Sequence, residues 1–149
     1  MDTATMFGLL VGGVLLLTWL SRDHVFQKLG LLLLTAWAVS NFAVEYLGFA
    51  KAPLLIPSLD ALVAILVALL GYRNRSRVAL VVFVLYVCVG TIHVAGFVTR
   101  TQGTYTYYAT LNILFLAQLL TVGASSAWLA VRHWAHRGRQ RLSPDRPGG

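Results

Sequence analysis

The chain has 149 residues, 58% hydrophobic and 11% charged, with a formal net charge of +7. Soluble domains carry about a quarter charged residues, so this composition excludes an ordinary water-soluble globule and points to an all-α, polytopic membrane bundle. The lone cysteine, Cys88, excludes an internal disulfide framework and a cysteine-rich metal site.

Met1-Asp2-Thr3 lacks the basic start of a signal peptide, and Ser21-Arg22-Asp23-His24 stands where a small-residue cleavage site would follow. Residues 4–20 therefore read as a retained first span. Gly8 and Gly12, four apart, let another helix approach closely, within the chain rather than in a dedicated dimer. The second span is predicted over 29–49. Trp37, Asn41, Glu45 and Gly48 share one of its faces, and Lys51 ends it.

Between Pro53 and Asp60 the chain prepares a third helix. Pro57 disfavours a helical residue before it, so Ser58 is the expected N-cap. Asp60 would then sit in the first turn, where the helix dipole favours an acid. A helix from Ser58 alone is short for a bilayer, so the span is drawn over 55–72, with Leu54, Leu55 and Ile56 entering as an extended lead-in or a kinked turn. Ala61, Ala64, Ala68 and Gly71 form a small-residue face expected against a neighbouring helix.

Arg73-Asn74-Arg75-Ser76-Arg77 is a basic hinge between two apolar runs. Such a hinge reads as a cytoplasmic turn. The fourth span follows over 78–99, with Tyr86, Gly90, His93, Phe97 and Arg100 stepping along one face. The fifth covers 107–131, with a polar stripe of Gln118, Thr121 and Ser125 and a close-packing pair, Gly123 and Ala127. One bundle over 1–132 is thus followed by a basic tail over 133–149, expected to be disordered and to touch anionic lipid rather than nucleic acid.

Charge sets the direction. With five spans and the amino terminus outside, the inside holds Arg22, Lys28, Arg73, Arg75, Arg77, Arg132, Arg137, Arg139, Arg141 and Arg146, against Lys51 and Arg100 outside. A four-span alternative, with 52–72 re-entrant and the amino terminus inside, scores almost as well. The apolar run at 61–70 favours five. The expected location is the inner, cytoplasmic membrane with the carboxyl terminus in the cytoplasm. Trp19, Tyr72, Trp128 and Trp134 then mark the inner boundary, and Tyr46, Tyr105, Tyr107 and Tyr108 the outer one.

This topology gathers Glu45, Asp60, His93, Arg100 and Asn112 in the outer half. An ionised residue deep in a span costs on the order of 2.5–3.5 kcal/mol, so such groups are expected to find partners. Glu45 with Arg100 is the natural pair, since Asp60 is occupied as a cap, and His93 would bond Glu45 or Asn112. A plain set of interhelical staples competes with a binding site for the same residues. No second histidine faces His93, no catalytic or metal motif is present, and neither cofactor nor metal is implied.

In size, span packing and basic tail the layout resembles small bacterial or phage inner-membrane proteins, without a shared motif. The first expectation is a non-enzymatic module that binds or transports a small molecule, or couples to protons, through the outer cluster. The second is a holin-like hole-former or lysis regulator, acting as a homo-oligomer through its glycine and alanine faces. An enzyme using Glu45, Asp60 or His93 as acid or base ranks last.

Overall fold

A computed structural model describes residues 3–47, 54–102 and 104–142. The expected Lys51 and Arg146 lie outside the described residues, as does Gly48. Five helices follow in chain order: α1 (Thr3–Leu20), α2 (His24–Leu47), α3 (Leu55–Asn74), α4 (Arg77–Thr99) and α5 (Tyr105–Leu142). The fold is an all-helical bundle of five helices. Each packs on its neighbours in sequence, α1 also packs on α5, and α2 reaches α5 across the ring.

Four stretches, His24–Ala43, Leu55–Asn74, Arg77–Thr99 and Tyr105–His136, are long and apolar enough to cross a membrane. The apolar stretch Thr5–Leu20 of α1 is shorter and runs beside α2 and α5. Large apolar side chains occupy both the core, as Leu29, Leu33, Val67, Val82, Leu119 and Val122, and the outer surface, as Leu9, Ile65, Val84, Val94 and Ile113. Helices apolar on all sides belong in lipid. The helix α3 is continuous over 20 residues, which sets the re-entrant alternative aside.

The turns are built by local chemistry. Asp23 caps α2, its carboxylate accepting from the N–H groups of Val25 (2.8 Å) and Phe26 (3.3 Å). Ser76 caps α4 by accepting from Ala79 N–H. Two helix ends repeat one motif: Gly71-Tyr72-Arg73-Asn74-Arg75-Ser76 and Gly96-Phe97-Val98-Thr99-Arg100-Thr101. In each, the last residue donates its N–H to the glycine carbonyl at 3.0 Å, and the arginine before it adopts positive φ, 51° at Arg75 and 55° at Arg100. This is a Schellman end with arginine where glycine is usual. The basic side chains of Arg22, Arg73, Arg75, Arg77 and Arg132 lie at one end of the bundle, where α1, α3 and α5 finish and α2 and α4 start.

Three sequence expectations change here. First, Ser58 is not the N-cap: α3 begins at Leu55, where the span is drawn to start, and Ser58 is inside it, donating its N–H to the Leu54 carbonyl at 3.0 Å. Pro57 sits in the first turn, where a missing N–H costs nothing, so Asp60 is not a cap residue. Second, the buried face of α3 is Val63, Val67 and Gly71. It is turned roughly a quarter-turn from the alanine face. Ala64 and Ala68 are half-buried and Ala61 is exposed. The valines fill the volume between helices, whereas small-residue spacing alone favoured the alanines. Third, α5 does not stop near Val131. It continues as helix to Leu142, through the first part of the predicted disordered tail, because no proline interrupts it before Pro144. At 38 residues it is roughly 57 Å long, well beyond a hydrocarbon core of about 30 Å.

Of the other packing residues, Gly8 meets the Trp37 ring within the chain, and a side chain at Gly123 would meet Val14 at 3.2 Å. Ala127 is half-buried. Gly12 faces open space.

Candidate functional site

On α4 the buried residues Ala79, Val82, Tyr86, Val89, His93 and Gly96 alternate steps of three and four. That spacing keeps one seam facing the neighbouring helices. Of the predicted face, Tyr86 and His93 belong to this seam, while Gly90, Phe97 and Arg100 fall outside the seam and are exposed. The seam therefore delivers one imidazole, only 4% exposed, to the junction of α3, α4 and α5.

Both ring nitrogens of His93 are occupied. Nε2 lies 2.9 Å from Asp60 Oδ2 on α3, and Nδ1 lies 2.6 Å from the Tyr107 hydroxyl on α5. With the ring neutral, Nε2–H donates to the carboxylate and the tyrosine hydroxyl donates to Nδ1. With the ring protonated, Nδ1–H donates to the hydroxyl, and the pair becomes imidazolium against carboxylate. Asp60 is in the second turn of α3, where no cap geometry uses it. In low dielectric, charge and partner gain from each other, which explains why an acid is retained inside an apolar helix.

Gly96 makes this meeting possible. One turn beyond His93, it faces the Tyr107 ring so closely that an added Cβ would stand 2.8 Å from Cε2. Any side chain there would push the ring away. Tyr107, expected as a boundary aromatic, is turned inward and buried.

Asp60 also borders a cavity of about 120 Å³ between α2, α3, α4 and α5. Trp37, Tyr86 and Phe115 contribute its aromatic wall, and Asn112 and Gln118 further polar groups. Gln118 is 1% exposed and its amide nitrogen has no hydrogen-bond partner among the described residues. A buried amide donor left open costs about 1–3 kcal/mol, and the Ser126 hydroxyl on the same helix is likewise buried without a partner among the described residues.

The predicted cluster thus divides. Asp60 and His93 come together, and Asn112 lines the adjoining cavity. Glu45 and Arg100 do not join them. Among the described residues the only ion pair is His93–Asp60, and both Glu45 and Arg100 are exposed. The buried face of α2 runs through Leu29, Leu33, Ala36 and Ala43. Glu45, two residues past Ala43, points to the opposite side. Arg100 is spent on the α4 terminus. Tyr107, Gly96, Trp37 and Tyr86 were not expected in the site. The three-four rhythm of α4 links Tyr86 to His93 in sequence, but nothing local in the sequence pairs Tyr107 with Gly96. Among the described residues no three histidine, cysteine, aspartate or glutamate side chains converge as a metal site would need. No protein family, curated protein or solved structure matches the chain.

Proposed function

We propose that the protein is a membrane-embedded binding module for a small molecule, with the Asp60–His93–Tyr107 chain as its proton-responsive element. The observation that carries this reading is the cavity itself: a small, mostly apolar hollow lined by one carboxylate, Asp60, and by the polar side chains of Ser40, Asn112 and Gln118. Apolar walls with a few convergent polar groups are the usual form of a ligand site. The chain of hydrogen bonds gives Asp60 an imidazole partner that can take up a proton, so occupancy of the cavity and protonation of His93 bias one another.

The basic residues at one end of the bundle support an orientation with that end in the cytoplasm and the cavity in the outer half of an inner membrane. With α1 included, the chain crosses five times. Anionic lipid would meet the arginine turn and the basic continuation of α5. The holin-like alternative draws on exposed small residues alone, Gly12 and Ala61, and no cavity argues for it.

Trp37 is the one tryptophan on the cavity; Trp19, Trp128 and Trp134 are exposed elsewhere. A variant with those three changed to phenylalanine reports the cavity by fluorescence. In lipid nanodiscs, a panel of small polar molecules should include some that change Trp37 emission saturably, with the response lost in Gln118→Met. A panel without any saturable response would defeat the reading.

A further inference from the structure

The residues around the cavity also specify the charge of its occupant. Asp60 is the one ionisable carboxylate lining it, and no lysine or arginine lines it. Aromatic side chains come from three helices: Trp37 from α2, Tyr86 from α4 and Phe115 from α5. A carboxylate with aromatic faces around an apolar hollow is the chemistry that holds ammonium groups, since ring quadrupoles attract a cation and methyl groups pack on the rings. An anion would meet the Asp60 carboxylate in a lining without lysine or arginine.

Size narrows the guest further. A dry engineered cavity of roughly 150 Å³ accommodates benzene. The present 120 Å³ is therefore suited to a head group near one small ring or one trimethylammonium. The polar side chains come from three helices: Asp60 from α3, Ser40 from α2, and Asn112 and Gln118 from α5.

We propose that the cavity takes a small organic cation carrying a hydroxyl, with the ammonium against Asp60 and the aromatic wall, and the hydroxyl among Ser40, Asn112 and Gln118. This rests on the binding-module reading above. His93 then acts as the competitor. A protonated imidazole and a bound ammonium both draw on the one carboxylate, so each weakens the other. The groups that meet His93 are the Asp60 carboxylate from α3 and the Tyr107 hydroxyl from α5; Tyr86, about two turns away on its own helix, borders the cavity beside Asp60.

The test compares two probes of the same shape. Choline carries the cation and the hydroxyl; 3,3-dimethylbutan-1-ol replaces its nitrogen with carbon and is neutral. Each is titrated into the Trp37-reporting protein in nanodiscs. Choline should saturate at least about tenfold more tightly than the neutral alcohol. The preference should vanish in Asp60→Asn. Because that variant can lose stability, the comparison on unsubstituted Asp60 stands as the decisive arm. Equal or tighter binding of the neutral alcohol overturns the cation assignment while leaving a binding site. No saturable response to either probe, when other neutral molecules of the panel respond, overturns the cation assignment alone. No response to any molecule overturns the binding module as well.

Discussion

His93 and Asp60, 33 residues apart in sequence, meet at 2.9 Å and are the one ion pair among the described residues. Their contact ties α4 to α3, and through Tyr107 to α5, at the depth where the cavity begins. Removing one partner leaves the other with an unmet group in a largely dry site. Asp60→Asn and His93→Leu should each lower the thermal stability of the purified protein in detergent. The double variant should recover part of the loss, with a coupling of about 1–2 kcal/mol, within the range for residues in direct contact. Strictly additive losses would show that the contact contributes nothing.

Glu45 and Arg100 should behave in the opposite way. Both are exposed on the bundle surface, so Glu45→Gln should change stability by no more than about 0.5 kcal/mol. Arg100 holds φ at 55°, where a side chain is disfavoured and glycine is not. Arg100→Gly should therefore raise stability slightly in a melting experiment. A marked loss in either variant would restore the pairing expected from sequence.

Gly96→Ala should displace the Tyr107 ring, because its new methyl would stand 2.8 Å from a ring carbon. Overpacking of this kind costs about 1–3 kcal/mol. Gly90→Ala, on the same helix but facing open space, should be neutral or mildly stabilising. Thermal melts of the pair decide it, and equal effects would mean that Gly96 is not a contact residue.

Gln118→Met should stabilise the bundle, since it replaces an unpaired buried amide with an apolar side chain of similar size. The same change should abolish the Trp37 response to choline. A gain in stability with loss of binding is the pattern expected of a residue kept for function. A loss of stability would mean that the amide has a structural partner.

Orientation has its own measurement. In a Cys88→Ala background, single cysteines at Asp2 and Gln102 should react with an impermeant maleimide on intact cells, and one at Asn74 should not. Labelling at Asn74 instead would invert the proposed topology.

Much of the architecture was legible because it rests on regularities that act along the chain. Long apolar runs and the arginine hinge mark helices and turns by local chemistry alone. Helix rotation was less legible. In lipid both faces of a helix are apolar, so hydropathy does not say which one is buried. For α3 the alanines pointed about a quarter-turn away from Val63 and Val67. The site was half legible for the same reason. Asp60 and His93 stand out as polar groups in apolar spans. Their pairing depends on α3 starting at Leu55 rather than Ser58, a shift that frees Asp60 from capping. Tyr107 was hidden because an aromatic near a span end is ordinarily an interfacial anchor, and only the space at Gly96 draws it inward.

The central claim is that His93 joins three helices at the edge of a ligand cavity, and its imidazole nitrogens report on this directly. In protein labelled with nitrogen-15 at histidine, His93 should give ring signals distinct from those of the exposed His24, His133 and His136. Tyr107→Phe should shift the Nδ1 resonance, Asp60→Asn the Nε2 resonance, and saturating choline the Nε2 resonance, with the other three histidines unmoved. His93 signals that coincide with those of the exposed histidines, and ignore all three changes, would contradict the account.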